Sequence, residues 1–468
     1  MRHKDTPKMM EFKGKKVLVV GLGKSGLAAA LFLRRRGAQV TVSDVRSAEA
    51  LAKDIPALLD EGIMVETGGH GLLTFRRQDL IVVSPGVPLN TPELAQVKSF
   101  GLPVIGELEL AARFLKGKTL AITGSNGKTT TTALVGEILE KAGIPTLVGG
   151  NIGTPVVSLI DESTDDTWSV LEVSSFQLES TERFHPSIAV ILNITPDHLD
   201  RHGSFENYAQ AKERIFAAQD ADDCVVLNAD NARAAQAAAR SVARVFFFSV
   251  EHSVLQGAWV EDGFLVYRGA KDEPIEKIMP LGGVPLKGAH NVENVLAAVC
   301  ASRQAGASAE QIRAAVESFK AVEHRLEFVA KINGVDFYND SKATNVDATA
   351  KAIAAFPSGI HLILGGKDKN SDYSELADLL RARARAIYTI GSAAAKIESE
   401  LRGVVPILSC ETLDHAVSAA ASAARPGEVV LLAPACSSFD QFENYEQRGK
   451  VFKELVSERR GWKVWQHA

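Results

Sequence analysis

The sequence predicts an α/β protein of three domains. The first is Rossmann-like, the second is a central P-loop, ATPase-type mononucleotide-binding domain, and the third is again Rossmann-like. Three observations carry this expectation. Short apolar, β-branched runs alternate with helix-like stretches almost throughout, the pattern of parallel strands covered by crossover helices. Glycine-rich turns follow several of these runs and open helices. The chain has 468 residues, and domains average roughly 100–200 residues. The expected boundaries are 1–108, 109–321 and 322–468.

In the first domain, residues 17–20 form a strand that ends in Gly21-Leu22-Gly23-Lys24-Ser25-Gly26. A helix pattern over 27–36 closes at Gly37, a residue suited to the left-handed cap. Strands follow at 39–43, ending at Asp44, and at 80–83, ending in Ser84-Pro85-Gly86-Val87-Pro88. The glycines allow a tight turn, so that backbone N–H groups at a helix N-terminus reach a diphosphate. Asp44 stands where an acid would bind a ribose. Alone, this fingerprint reads as NAD binding and equally permits another nucleotide.

The second domain opens with a strand at 119–123 and the loop Thr123-Gly124-Ser125-Asn126-Gly127-Lys128-Thr129-Thr130. The Gly-Lys-Thr end is the phosphate-gripping part of a P-loop, with Lys128 for the β/γ-phosphates and the Thr129 hydroxyl for Mg²⁺. Ile122 stands where the usual spacing has glycine, so the loop is a shortened variant. Strands are expected at 169–173, 188–193, 225–228 and 245–249, with a hairpin over 259–267 turning at Asp262-Gly263. Glu172, near the end of its strand, is a candidate Mg²⁺ ligand, because hard cations take carboxylate oxygens. The loop Asn193-Ile194-Thr195-Pro196-Asp197-His198-Leu199-Asp200-Arg201-His202 gathers acids and imidazoles. Lys212, on a helix pattern over 205–218, reads on its own as an ordinary surface lysine. Helices over 292–304 and 310–319 close the domain, the latter opened by a Ser308…Gln311 capping box.

The third domain starts with a hairpin turning at Asn333-Gly334. Strands follow at 362–364, 386–390, 405–408 and 429–432. Three polar turns lie at strand ends: Asn339-Asp340-Ser341-Lys342-Ala343-Thr344-Asn345, Gly365-Gly366-Lys367-Asp368-Lys369 and Ala435-Cys436-Ser437-Ser438-Phe439-Asp440-Gln441-Phe442. In open α/β sheets that edge binds ligands.

Composition excludes several classes. With 46% hydrophobic and 23% charged residues, the chain is neither disordered nor fibrous. A net charge of −5 advertises no nucleic-acid or anionic-membrane surface. No apolar run approaches the ~20 residues of a spanning helix. Cys224, Cys300, Cys410 and Cys436 are widely spaced, which fits a reducing cytosol and a cytoplasmic protein. The basic residues Arg2, Lys4, Lys8, Lys13, Lys15 and Lys16 are expected in a solvated tail.

The constellation resembles the Mur ligase family over nearly the whole chain. The marks are the 123–129 loop, Asn151 in Gly149-Gly150-Asn151-Ile152-Gly153, the run 172–179, His290-Asn291 and Glu323-His324-Arg325. The stretches 339–345 and 435–442 look like its D-glutamate-adding branch. The resemblance implies ATP-dependent amide ligation through an acyl phosphate, joining D-glutamate to UDP-N-acetylmuramoyl-L-alanine in cytoplasmic peptidoglycan precursor synthesis. It implies an ATP site built from Gly124, Asn126, Gly127, Lys128, Thr129, Thr130, Asn291, Arg325 and Asp340. It implies two Mg²⁺ ions, one at Thr129 and Glu172, the other at His198 and a carbamylated Lys212. Lys128, His198, Lys212 and Lys342 take catalytic roles. Ser25, Asp44, Arg46 and Gly86 match positions at the uridine-diphosphate end of the substrate, with Asn151 and Ser174 further along it. The neighbouring Lys24 matches a variable position. Thr344, Lys369, Ser438 and Tyr445 match positions around D-glutamate, the last often Phe in the family. On this reading the glycine fingerprint holds a substrate diphosphate, and the enzyme is a monomer without nucleic-acid or membrane partners. Three rivals differ in what they leave unused or lack. An NAD enzyme leaves Lys128 idle, a nucleotide sensor should have lost Lys128, Glu172 or Arg325, and a folylpolyglutamate-type ligase should lack the first domain.

Overall fold

The computed structural model describes residues 11–461 apart from Ile152, Lys287 and Ala321. Arg2, Lys4 and Lys8 of the expected tail lie outside the described residues. Among the described residues the strands form three sheets, of five, nine and six strands. The chain divides into two compact units. The first takes the chain up to Ile194, with Arg201–Leu281 and Val295–Val316. The second takes Thr195–Asp200, Gly282–Asn294 and everything from Glu317.

The first unit holds two sheets. One is wholly parallel, in the order Met64–Thr67, Gln39–Asp44, Lys16–Val20, Leu80–Val83, Val104–Gly106. The strand order reverses on either side of Lys16–Val20, so a crevice opens at its C-terminal end. The glycine fingerprint occupies that end and starts the helix Lys24–Arg35. Arg34 and Arg35 in the last turn complement the helix dipole. Gly37 closes it with φ +87°.

The other sheet of this unit runs Glu276–Pro280, Phe264–Arg268, Gly257–Glu261, Arg244–Ser249, Cys224–Asn228, Ile188–Ile191, Lys118–Thr123, Trp168–Glu172, Thr146–Gly150. It is parallel except at the edge, where the hairpin adds antiparallel pairs. Asp262 and Gly263 both take positive φ, +48° and +76°, as the two-residue turn requires.

One apolar cluster runs through both sheets, from Val17 and Val42 to Ala121, Leu171 and Ala189. The short helix Glu107–Ala112 joins them. Its two acids are buried, which the sequence pattern did not suggest. Glu107 Oε1 accepts the Val157 N–H at 2.7 Å. Glu109 Oε2 accepts three successive N–H groups, from Glu182, Arg183 and Phe184, at 2.9, 2.9 and 3.1 Å. Arg113 balances its charge at 2.8 Å.

The second unit carries the third sheet, ordered Glu327–Ile332, Val335–Asn339, Val429–Leu432, Ile360–Gly365, Ala384–Ile390, Ile407–Glu411. Only the first pair is antiparallel. Separate apolar clusters cover its two faces, one around Leu362, Leu376 and Leu431, the other around Ile363, Val430 and Phe452.

Several expectations shift. The strand read at 405–408 begins at Ile407, because Pro406 has no N–H for the ladder. The helix read over 205–218 is α-helical only over Phe205–Glu213 and then tightens into a 3₁₀ turn. Met64–Thr67, Val104–Gly106, Thr146–Gly150 and Glu276–Pro280 are strands that the pattern did not mark. Each has five residues or fewer, too short for a period-2 signal. The four cysteines are free and buried. No helix among the described residues is long and apolar enough to cross a membrane.

Candidate functional site

The phosphate loop leaves the strand Lys118–Thr123 and opens the helix Lys128–Lys141. Gly127 caps that helix at φ +86°, a conformation that a Cβ would strain. A side chain at Gly124 would sit 3.0 Å from the Leu192 Cβ. The loop is pinned by Asn193, from the end of a neighbouring strand. Its carbonyl accepts the Ser125 N–H at 2.9 Å and its Oδ1 accepts the Asn126 N–H at 2.8 Å. Its amide returns a bond to the Asn126 carbonyl at 3.2 Å. Thr129 and Thr130 are buried in the first helical turn.

Two lysines converge on this loop. Lys128 Nζ donates to the carbonyls of Gly124 and Ser125 at 2.7 and 3.0 Å. Lys212 Nζ donates to the same Gly124 carbonyl at 2.8 Å. Lys212 is only 1% exposed, so reading it as a surface lysine was wrong. The helix Phe205–Glu213 turns its face inward here, with the Lys212 ammonium 4.5 Å from the Tyr208 ring centre and Tyr208 Oη 3.0 Å from Ser125 Oγ.

Glu172 ends the adjacent strand, paired with Ile122, and is buried. Asn151 donates its side-chain amide to Glu172 Oε1 and its backbone N–H to the Glu172 carbonyl, both at 2.8 Å. Thr129, in the first turn of the helix that follows one strand, and Glu172, at the end of the parallel strand beside it, thus offer a hydroxyl and a carboxylate. Oxygen donors of this kind fit a hard divalent cation. Ser174 caps the short helix Ser175–Leu178 through a reciprocal box with Gln177. Ile152 of the same motif lies outside the described residues.

At the first sheet's C-terminal edge, Asp44 accepts the Leu22 N–H at 2.7 Å. It also accepts the Arg46 N–H at 2.8 Å and both ends of the Arg46 guanidinium, at 3.0 and 2.9 Å. Burial pushes the carboxyl up, but these bonds outweigh it and hold Asp44 at about 2. Asp44 is therefore a brace of the glycine turn. A Cβ at Gly26 would fall 1.9 Å from the Gly21 carbonyl oxygen, so this glycine is required by close packing of turn and helix. Ser25 is half-buried in the first helical turn, and Lys24 and Gly86 are exposed.

The second unit gathers a separate set. Asp197 accepts the Asn345 amide at 2.9 Å and lies 3.9 Å from Lys369 Nζ. His198 sits at φ +53°, its N–H bound to Asp197 Oδ1 at 2.9 Å. Asn291 is buried and accepts the Asn294 amide at 3.1 Å. Burial pushes Asp340 up to about 6 against the opposing charges of Arg325 and Lys342. The Lys342 ammonium lies 5.1 Å from the Tyr445 ring centre. Thr344 is half-buried and Ser438 buried, on two turns that one residue unites. That residue is Arg448, fully buried, which donates to the Ser341 hydroxyl and carbonyl at 3.0 and 2.8 Å and to the Cys436 carbonyl at 3.2 Å.

Asn193, Tyr208 and Arg448 had no assigned role in the sequence reading. Asn193 could be found only from strand order, which sets Ile188–Ile191 beside Lys118–Thr123. Arg448 lies on the helix Tyr445–Gly461, whose pattern is polar, so nothing local marks its burial.

Residues 15–106 match the Mur ligase MurD-like N-terminal domain, 122–302 the Mur ligase middle domain, and 324–436 the Mur ligase glutamate ligase domain. A UDP-N-acetylmuramoylalanine--D-glutamate ligase of Acidobacterium capsulatum is 72% identical over 459 residues, covering 98% of this chain and 100% of that one. Its counterpart from Koribacter versatilis is 61% identical, covering 96% and 98%. Among solved structures, a UDP-N-acetylmuramate-alanine ligase of Thermotoga maritima superposes with a TM-score of 0.60 at 20% identity, covering 95% of this chain and 99% of that one. A MurF ligase of the same organism, in complex with ADP, gives 0.58 at 18%, covering 96% of each. The fold, the three matched segments and these relatives make the chain a member of the Mur ligase family.

Proposed function

We propose that this protein is an ADP-forming amide ligase that adds D-glutamate to UDP-N-acetylmuramoyl-L-alanine, in the cytoplasmic synthesis of peptidoglycan precursors. The observation that carries the reading is the braced phosphate loop with Lys128 at its helix start, in a chain 72% identical to a relative of that name. A carboxylate is a poor electrophile for an amine. Transfer of the ATP γ-phosphoryl group to it gives an acyl phosphate, and amine attack then expels phosphate. Carboxylate and γ-phosphate repel each other, and Lys128 offsets that charge where it develops.

Mg²⁺ would be held by Thr129 and Glu172, and a second ion by His198 and a carbamate on Lys212. These ions would supply charge neutralisation on the phosphates. Carbamylation would turn the Lys212 cation into an anionic oxygen ligand. Asn291, Arg325 and Asp340 are assigned to ATP. Ser25, Asp44, Arg46, Gly86, Asn151 and Ser174 are assigned to the nucleotide substrate, and Thr344, Lys369, Ser438 and Tyr445 to D-glutamate, with Lys342 near the transferred phosphate. The domain boundaries 1–108, 109–321 and 322–468 and a monomeric state belong to the same reading.

The test is phosphate release from ATP with UDP-N-acetylmuramoyl-L-alanine, Mg²⁺ and a panel of amino acids. Release with D-glutamate, and none with L-glutamate, L-lysine or diaminopimelate, supports the assignment. Release with another amino acid keeps the chemistry and overturns the assignment of the third domain's turns. No release from folded protein that binds ATP removes the substrate assignment.

A further inference from the structure

One residue of the polar loop that ends in His202 has no place in the chemistry above. Arg201 lies on the four-residue helix Leu199–His202, and its side chain is 15% exposed. Its guanidinium donates to two carbonyls of the first sheet's loop, Gly86 at 3.4 Å and Val87 at 3.1 Å. The same group pairs with Glu179 at 3.1 Å and stacks 4.7 Å from the Phe176 ring centre. Glu179 in turn holds His202 Nδ1 at 3.1 Å, and His202 Nε2 lies 3.1 Å from Ser175 Oγ. Burial pushes the Glu179 carboxyl up, but His202 and Arg201 outweigh it and keep its pKa low. A cavity of about 440 Å³ flanks the pair, lined by Leu89, Asn90, Asn207 and Arg214 among others.

The loop 84–88 is thereby held at both ends. Ser84 Oγ donates to the Gly21 carbonyl at 2.7 Å, fixing its start to the glycine turn. Arg201 fixes its far side to Glu179 and Phe176, in the segment that follows the strand ending at Glu172. Both bound carbonyls point at the guanidinium. Turned the other way, they would present negative dipoles to an anion.

We propose that Arg201 is a positioning residue that ties the diphosphate loop 84–88 to the ligation half of the same unit and so fixes the span between the two ends of the nucleotide substrate. The inference rests on the functional reading above. A substrate anchored at its diphosphate and reacting at a distant carboxylate gains rate only if that span is preset, since misplacement by about 1 Å can cost about 10²-fold. On that reading ATP and the amino acid bind elsewhere than at this loop.

The experiment compares wild type with Arg201→Met, Arg201→Lys and Glu179→Gln in full-length protein. It reads kcat, the KM of each of the three substrates, and the melting temperature. The expected result for Arg201→Met is a rise of tenfold or more in the KM for UDP-N-acetylmuramoyl-L-alanine, together with a fall in kcat. The KM values for ATP and D-glutamate stay within twofold, and the melting temperature stays within a few degrees. Arg201→Lys recovers part of the loss, and Glu179→Gln shifts the same KM in the same direction by less. Unchanged KM values in Arg201→Met overturn the proposal. So does a parallel loss in all three KM values with a lower melting temperature, which a merely structural residue would give. If Arg201→Met does not fold, Glu179→Gln decides on the same criteria. An inactive wild type rejects the functional reading instead.

Discussion

Lys128 and Lys212 both donate to one carbonyl, that of Gly124. Lys128 can leave it for a phosphate, because the strand and Asn193 hold the loop without it. Replacing Lys128 by Ala is therefore expected to lower phosphate release by about 10²–10³-fold, the usual cost of one preorganised charge donor. The melting temperature should hardly move, and a fall of many degrees would mean that the ammonium holds the loop. Glu107 is the opposite kind of residue, with a structural role that is visible in pH dependence. Burial raises its pKa from 4.5 to about 7 against its two backbone bonds. The folded state therefore keeps the proton between about pH 4.5 and 7 where the unfolded state loses it, and stability falls as pH rises through that window. Glu107→Gln removes this titration. The melting-temperature advantage of wild type over Glu107→Gln should shrink on going from pH 5 to pH 8, and a constant difference would assign Glu107 no part in it.

At the scale of elements, the helix Glu107–Ala112 acts as a clasp. Glu109 alone satisfies three consecutive N–H groups. Glu109→Ala would remove the shared acceptor of these donors, of which the Phe184 N–H is buried, and the charge partner of Arg113, at about 1–3 kcal/mol for each group left unpaired. Denaturant unfolding should show a loss of about 3 kcal/mol or more, and a loss below 1 kcal/mol would mean that water replaces the carboxylate. None of this was legible in the sequence, where nothing around residue 108 but a domain boundary was expected. What was legible is local. The turns Asp262-Gly263 and Asn333-Gly334, the C′ glycine at 37 and the box between Ser308 and Gln311 announce themselves through backbone chemistry confined to a few residues. The phosphate loop was readable for the same reason. Lys212 was readable only through the family resemblance, and Asn193 and Arg448 not at all, since each acts on a residue at least 67 positions away, which only the tertiary fold brings near.

For the whole molecule, the four cysteines test how tightly the chain is packed. All are buried, and burial pushes the thiols of Cys224, Cys436 and Cys410 up, the first to about 12 and the second to about 11. A thiol-reactive disulfide at pH 8 should label native protein slowly and all four sites at once in denaturant, because the thiolate is the reactive form. Rapid labelling of one site in native protein would locate an opening fluctuation there. The third sheet carries a different consequence. Its last strand in the sequence, Val429–Leu432, lies between Val335–Asn339 and Ile360–Gly365. On the ribosome the hairpin ahead of it and the three strands Ile360–Gly365, Ala384–Ile390 and Ile407–Glu411 emerge as two half-sheets with facing open edges. Synthesis must pass residue 432 before one strand closes the gap, and until then both edges are exposed to neighbouring nascent chains.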